Sequence, residues 1–85
     1  MDQATVRARI RTCIRTQKDK CSMKCITLAR LAGVDRRTVA EWLSGDSVPS
    51  YAAFQRLKEI FHFTDTQIAG GRFRDQQEYD AFFCI

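Results

Sequence analysis

Helical spacing of the apolar residues, cut at short intervals by residues that stop helices, constrains this chain more than any other feature. Val6, Ile10, Cys13, Ile14 and Gln17 follow the i, i+4, i+7, i+8 pattern of one helix face. Asp2 stands at the N-cap of that first helix, and most of its arginines fall on the other face. The pattern breaks at Lys18–Ser22. A second, short helix is predicted over Cys25–Ala32, with Leu28, Leu31 and Ala32 on its apolar side and Gly33 at its end. Asp35 then caps a third helix, Arg36–Ser44, whose apolar residues are Val39, Trp42 and Leu43 and whose stop is Gly45. Pro49 closes the next loop and Ser50 caps a fourth helix, Tyr51–Phe61, buried through Ala53, Phe54, Leu57, Ile60 and Phe61. Thr64 or Asp65 starts a fifth helix through Ile68. The expected fold class is all-α, with five or six helices.

Eighty-five residues make one small domain. With 45% apolar residues, general disorder is not expected. No run of about 18 apolar residues offers a membrane span. Met1-Asp2-Gln3-Ala4 lacks the layout of a secretory signal. The four cysteines, Cys13, Cys21, Cys25 and Cys84, lack paired metal-ligand spacing, and His62 is the only histidine. They read as free thiols, mostly small buried apolar groups in a reducing cytosol, with no metal and no cofactor. No nucleophile with an orienting histidine and no phosphate-cradling glycine loop is present, so an enzyme is not expected.

Gly70-Gly71 divides residues 1–71 from a tail, 72–85. Asp75 with Glu78 reads as a capping box before a helix that aligns Tyr79, Phe82 and Phe83. An extended arm is the alternative, since aromatics also suit strands. Phe73, Tyr79, Phe82, Phe83 and Ile85 are a large apolar load on fourteen residues. They either cover the chain's own core or form an interface, and dimerisation is the expectation.

Charge is unevenly placed. Residues 1–45 carry ten Lys/Arg and four acids, a balance of +6, whereas residues 46–85 carry four and six, a balance of −2. A basic half on a small domain points to a polyanionic partner.

The segment Leu28-Ala29-x4-Gly33-Val34-x4-Val39-x2-Trp42 sharpens that reading. Two helices joined by a short turn must approach closely, which Ala29 permits and Gly33 turns. Val34, Val39 and Trp42 face the core, leaving Arg36, Arg37, Thr38, Ala40 and Glu41 outward. The text "TLARLAGVDRRTVAEWLSGDSVPS", with its Gly45-to-Pro49 step, resembles the Cro/C1-type (XRE-type) helix-turn-helix domains of phage and plasmid repressors. The resemblance covers roughly residues 6–69 and implies a lambda-repressor-like domain with its motif at about 25–44.

It further implies roles. Arg36, Arg37, Thr38 and Glu41 match base-reading positions of the recognition helix, and guanidinium suits guanine O6 and N7. Lys18, Lys24, Cys25, Ser44 and Ser47 match positions near the DNA backbone, the last two beside loop amides that approach phosphate. The chain departs from the family in four places. Lys24 stands where Ser, Thr or Asn is frequent and Cys25 where Gln is. Leu43 replaces a frequent acid and Asp46 a frequent base.

The implied function is a dimeric, sequence-specific transcriptional regulator. It would act as a repressor occluding a promoter at an inverted-repeat operator in double-stranded DNA. No membrane partner and no small-molecule effector is expected, and the location would be the cytoplasm, at the nucleoid. The alternative is the same fold used as a protein-interaction module, an inhibitor or antitoxin-like partner.

Overall fold

Each helix begins where the chain offers a cap. The computed structural model describes residues 2–85 and forms α1 (Gln3–Lys20), α2 (Cys25–Ala32), α3 (Arg36–Ser44), α4 (Tyr51–Phe61), α5 (Asp65–Ala69) and α6 (Gln76–Phe83). There is no strand among the described residues. Asp2, Asp35, Ser50, Thr64 and Asp75 accept hydrogen bonds from amides in the first turn of the helix that follows each. Each supplies an acceptor to a turn that has none of its own. The reciprocal capping box forms at Thr64, whose amide donates to Gln67 Oε1 at 2.9 Å. At Asp75 only half of the predicted box forms, because Glu78 turns instead to Arg74.

Helix ends close by an amide reaching back five residues, as in Val34 N to Ala29 O and Asp46 N to Glu41 O, both 3.0 Å. The turn needs a left-handed residue, and Gly33 (φ +74°) and Gly45 (φ +88°) supply it after α2 and α3. Alanine at either position is expected to cost about 1–2 kcal/mol in urea unfolding, the penalty of a Cβ in that conformation. An unchanged urea midpoint in either variant would contradict this account of the turns. His62 and Cys84 take the same conformation after α4 and α6 without being glycine.

The core gathers one face from every helix, including Ile10 and Ile14 of α1, Leu28 of α2, Trp42 of α3, Phe54 and Leu57 of α4, and Ile68 of α5. Leu31 departs from its expected burial. It is 44% exposed, and Ala29 faces inward in its place. The cysteines divide: Cys13 and Cys25 are half-buried, while Cys21 and Cys84 are exposed rather than buried as expected. Burial pushes the Cys13 thiol pKa up. No group of three or more metal-ligating side chains exists among the described residues, and no helix there is long and apolar enough to cross a membrane.

The tail is a helix, and it belongs to the core. Tyr79 and Phe83 are fully buried, and Phe73 and Phe82 pack against the same cluster. Tyr79 lies 5.1 Å from the Phe54 ring and 5.0 Å from that of Phe73, centroid to centroid. Phe73 and Phe82 remain half-buried, but the expectation that Tyr79 and Phe83 form a dimer interface is corrected. Their apolar area is spent inside the chain that carries them. Ile85 alone of that set remains well exposed.

Polar contacts fasten the tail, among them a hydrogen bond from Gln3 Nε2 to the Phe82 carbonyl at 3.0 Å. The Tyr79 hydroxyl donates to the Pro49 carbonyl at 2.5 Å. Asp65 accepts from Lys58 through one carboxylate oxygen and from the Phe73 amide through the other. Burial pushes the Asp65 carboxyl up, but these bonds and the lysine charge outweigh it and hold its pKa below the ordinary value. Burial, reinforced by the Asp80 charge, pushes the Tyr79 phenol far above its ordinary pKa of 10.0. The unfolded chain therefore releases that proton from about pH 10 while the folded chain keeps it, and stability falls as pH rises above that value. Tyr79→Phe is expected to cost about 1–2 kcal/mol at neutral pH, by leaving the Pro49 carbonyl unpaired, and to reduce the alkaline loss. Identical alkaline melting curves for the two proteins would refute the assignment.

Candidate nucleic-acid interface

The basic residues of the first half do two different jobs. Arg15 Nη2 donates to the Leu43 carbonyl at 2.7 Å, at the end of α3. Arg9 Nη2 donates to the Thr66 carbonyl at the end of α5, and Arg56, from α4, donates to the Leu31 carbonyl at the end of α2. Arg11 lies against Gly45, and Arg56 also covers Gly33. Helix C-termini carry partial negative charge and orphan carbonyls, so these cations sit where the backbone favours them. Arg9 and Arg15 of α1 are thereby committed to the fold by hydrogen bonds.

The bases of the first half form no ion pair among the described residues. The ion pairs among the described residues are Lys58–Asp65 and Arg74–Glu78, and neither involves residues 2–45. Arg36 and Arg37 open α3, both exposed, with no hydrogen bond from either guanidinium among the described residues. Val39 and Trp42 bury the opposite side of α3, so these arginines and Ala40 form its outer front. The Asp35 cap keeps two cations at a helix N-terminus, a placement the helix dipole opposes. Hydrogen bonds from the Thr38 hydroxyl and amide hold the Asp35 carboxyl below its ordinary pKa, helped by the Arg37 charge.

Other predicted site residues differ in availability. Thr38 is half-buried, and its hydroxyl donates to Asp35 Oδ1 at 2.7 Å, so its hydrogen is spent on the cap. Glu41 is half-buried one turn further on. Its carbonyl accepts the amides of Gly45, Asp46 and Ser47 at 3.1, 3.0 and 3.3 Å. That convergence corrects the expectation for the loop beside Ser44 and Ser47. Its amides are turned onto the end of α3 and are not open to a phosphate. The Ser44 hydroxyl is likewise held between the Glu41 carbonyl and Asp46 Oδ2.

The opposite situation holds at the start of α2. Lys24 is its N-cap, with extended backbone and no side-chain capping bond, whereas the other five helices are capped. The first-turn amides, beginning at Cys25, therefore lack a side-chain partner, and the Lys24 beside them is exposed. Sequence reasoning singled out Lys24 and Cys25 but missed these amides. The signal was present, since lysine stands where a capping residue is frequent in the resembled family. Lys18 is half-buried at the end of α1.

Chemically, the α2–turn–α3 unit offers two exposed guanidinium forks at the front of one helix, and free amides with a lysine at the start of the other. No family model, curated protein or solved structure matches the chain.

Proposed function

We propose that this chain is a sequence-specific DNA-binding transcriptional regulator. In it α2 and α3 form a Cro/C1-type helix-turn-helix within a lambda-repressor-like domain, and α3 enters the major groove. The observation that carries the reading is the front of α3. Arg36 and Arg37 are exposed and unpaired on a helix that is capped by Asp35 and anchored through Val39 and Trp42. Such arginines can each bind guanine O6 and N7 together. The uncapped start of α2, with Lys24, supplies donors for a backbone phosphate. Glu41 either accepts from a cytosine amino group or orients an arginine. Repression by promoter occlusion, as a homodimer on an inverted repeat, belongs to the same proposal and rests on the family resemblance. The surface that would pair the two copies lies outside the buried tail aromatics.

A binding selection from random duplex DNA at about 150 mM salt tests the reading, because affinity without stated salt has no meaning for DNA. The expected result is an enriched inverted repeat with guanines in each half-site, its halves about 34–36 Å apart. Weak, salt-sensitive binding with no enrichment would overturn it.

A second reading has one observation in its favour. Ile26 and Leu31 leave α2 46% and 44% exposed, which suits a protein partner. Failure of the selection would bring that surface forward.

A further inference from the structure

Between the N-terminal half of α1 and the loop from α3 to α4 lies an apolar cleft of about 190 Å³. Ala4 and Ala8 line one side, and Trp42, Val48 and Pro49 line the other. The two alanines keep it open, since longer side chains there would fill it. An apolar cavity of about 150 Å³ is large enough to take benzene. This volume therefore suits one aromatic ring or a branched aliphatic group of similar size.

Arg7 and Arg11, one helical turn apart on α1, also line this cleft. Neither has a carboxylate partner among the described residues. Arg7 is held in place: its Nε donates to Gln3 Oε1 at 3.1 Å, and its guanidinium lies 5.5 Å from the Phe83 ring centroid. That leaves its terminal donors free. Arg11 lies against Gly45, where a Cβ would come within 2.7 Å of its Nη1. Planar guanidinium groups match a carboxylate with paired hydrogen bonds. A second charged cleft, beside Lys58, Arg72 and Arg74, contains Asp65 and Glu78, which already pair with Lys58 and Arg74. Of these two clefts, the α1 cleft is the one with no carboxylate in its lining.

We propose that this cleft binds a small carboxylate with a single aromatic or branched aliphatic body. The body packs between the alanines and the Trp42–Val48–Pro49 wall, and the carboxylate meets Arg7 and Arg11. Such a ligand bridges α1 to Trp42 and Gly45 at the end of α3. Its binding does not depend on the DNA-binding reading; its role as an effector of α3 does.

The test is a magnetic-resonance titration of the isotope-labelled full chain with phenylacetate, without DNA. Saturable shifts are expected at the Ala4, Ala8 and Val48 amides and the Trp42 indole, with millimolar affinity or better. Benzyl alcohol (ring without charge), acetate (charge without ring) and inorganic phosphate should each bind at least about tenfold more weakly, one decade being 1.4 kcal/mol. Ala8→Leu, a cleft-filling change at an exposed helix position, should weaken phenylacetate by about tenfold or more while the melting temperature holds. Arg11→Gln should do the same. The proposal is overturned if phenylacetate gives no saturable shift at the cleft, if benzyl alcohol or phosphate binds as tightly, or if Ala8→Leu leaves affinity intact. Ala8→Leu and the ligand series decide the matter even if Arg11→Gln disturbs folding.

Discussion

Ending the chain at Gly71 is expected to unfold the domain, not to release a stable monomer. The cut removes Tyr79 and Phe83, both fully buried, together with Phe73 and Phe82, which pack against the same core. Burying one large apolar side chain contributes about 1.5–3 kcal/mol. The loss also uncovers Phe54, strips the Pro49 carbonyl of its hydroxyl donor and removes the Phe73 amide from Asp65. A total of about 5 kcal/mol or more equals the whole stability of many domains. Circular dichroism melts of the two chains would measure it, since 1 kcal/mol moves the midpoint by about 4–8 °C at this size. A truncated chain that melts cooperatively near the full-length midpoint would mean that α6 is an appendage and that its aromatics are available to a partner.

The second large effect concerns specificity. Arg37→Ala is expected to lose about 1–3 kcal/mol on the selected DNA site and little on random duplex. Lys24→Ala should weaken both DNAs and flatten the salt slope by about one unit, because a phosphate contact releases counterions without reading sequence. Both side chains are exposed and hydrogen-bonded to nothing among the described residues, so neither change should disturb the fold. Fluorescence anisotropy on the two DNAs at one salt concentration separates these outcomes. Equal losses on both DNAs for Arg37→Ala would remove it as a base reader.

The boundaries of α2, α3 and α4 were legible because their signals are local. Gly33 and Gly45 stop helices where they stand, and Asp35 and Ser50 start them. The outward set on α3 was legible for the same reason, since burying Val39 and Trp42 leaves Arg36, Arg37 and Ala40 facing away. Three things were not. The loop around Ser44–Ser47 carries no residue that announces its amides fold onto Glu41, a choice made by backbone path. Leu31 reads as core by type, but the core on that side is filled by Ala29 and Ala32. The arginines of α1 read as one basic face, although Arg9 and Arg15 are bonded to the ends of other helices.

Local chemistry in the sequence therefore determined an all-helical chain, the start and stop of most helices, and the outward front of α3. Caps, left-handed turns and apolar periodicity act over a few residues, and no distant contact is needed to set them. Tertiary structure alone decided the fate of the tail, the division of the basic residues between fold and surface, and the cleft beside Arg7 and Arg11. Each depends on which elements meet in space, such as Tyr79 reaching Pro49 across 30 positions of chain. A periodic pattern records that a face is apolar. It does not record whether that face is covered by its own chain or by another.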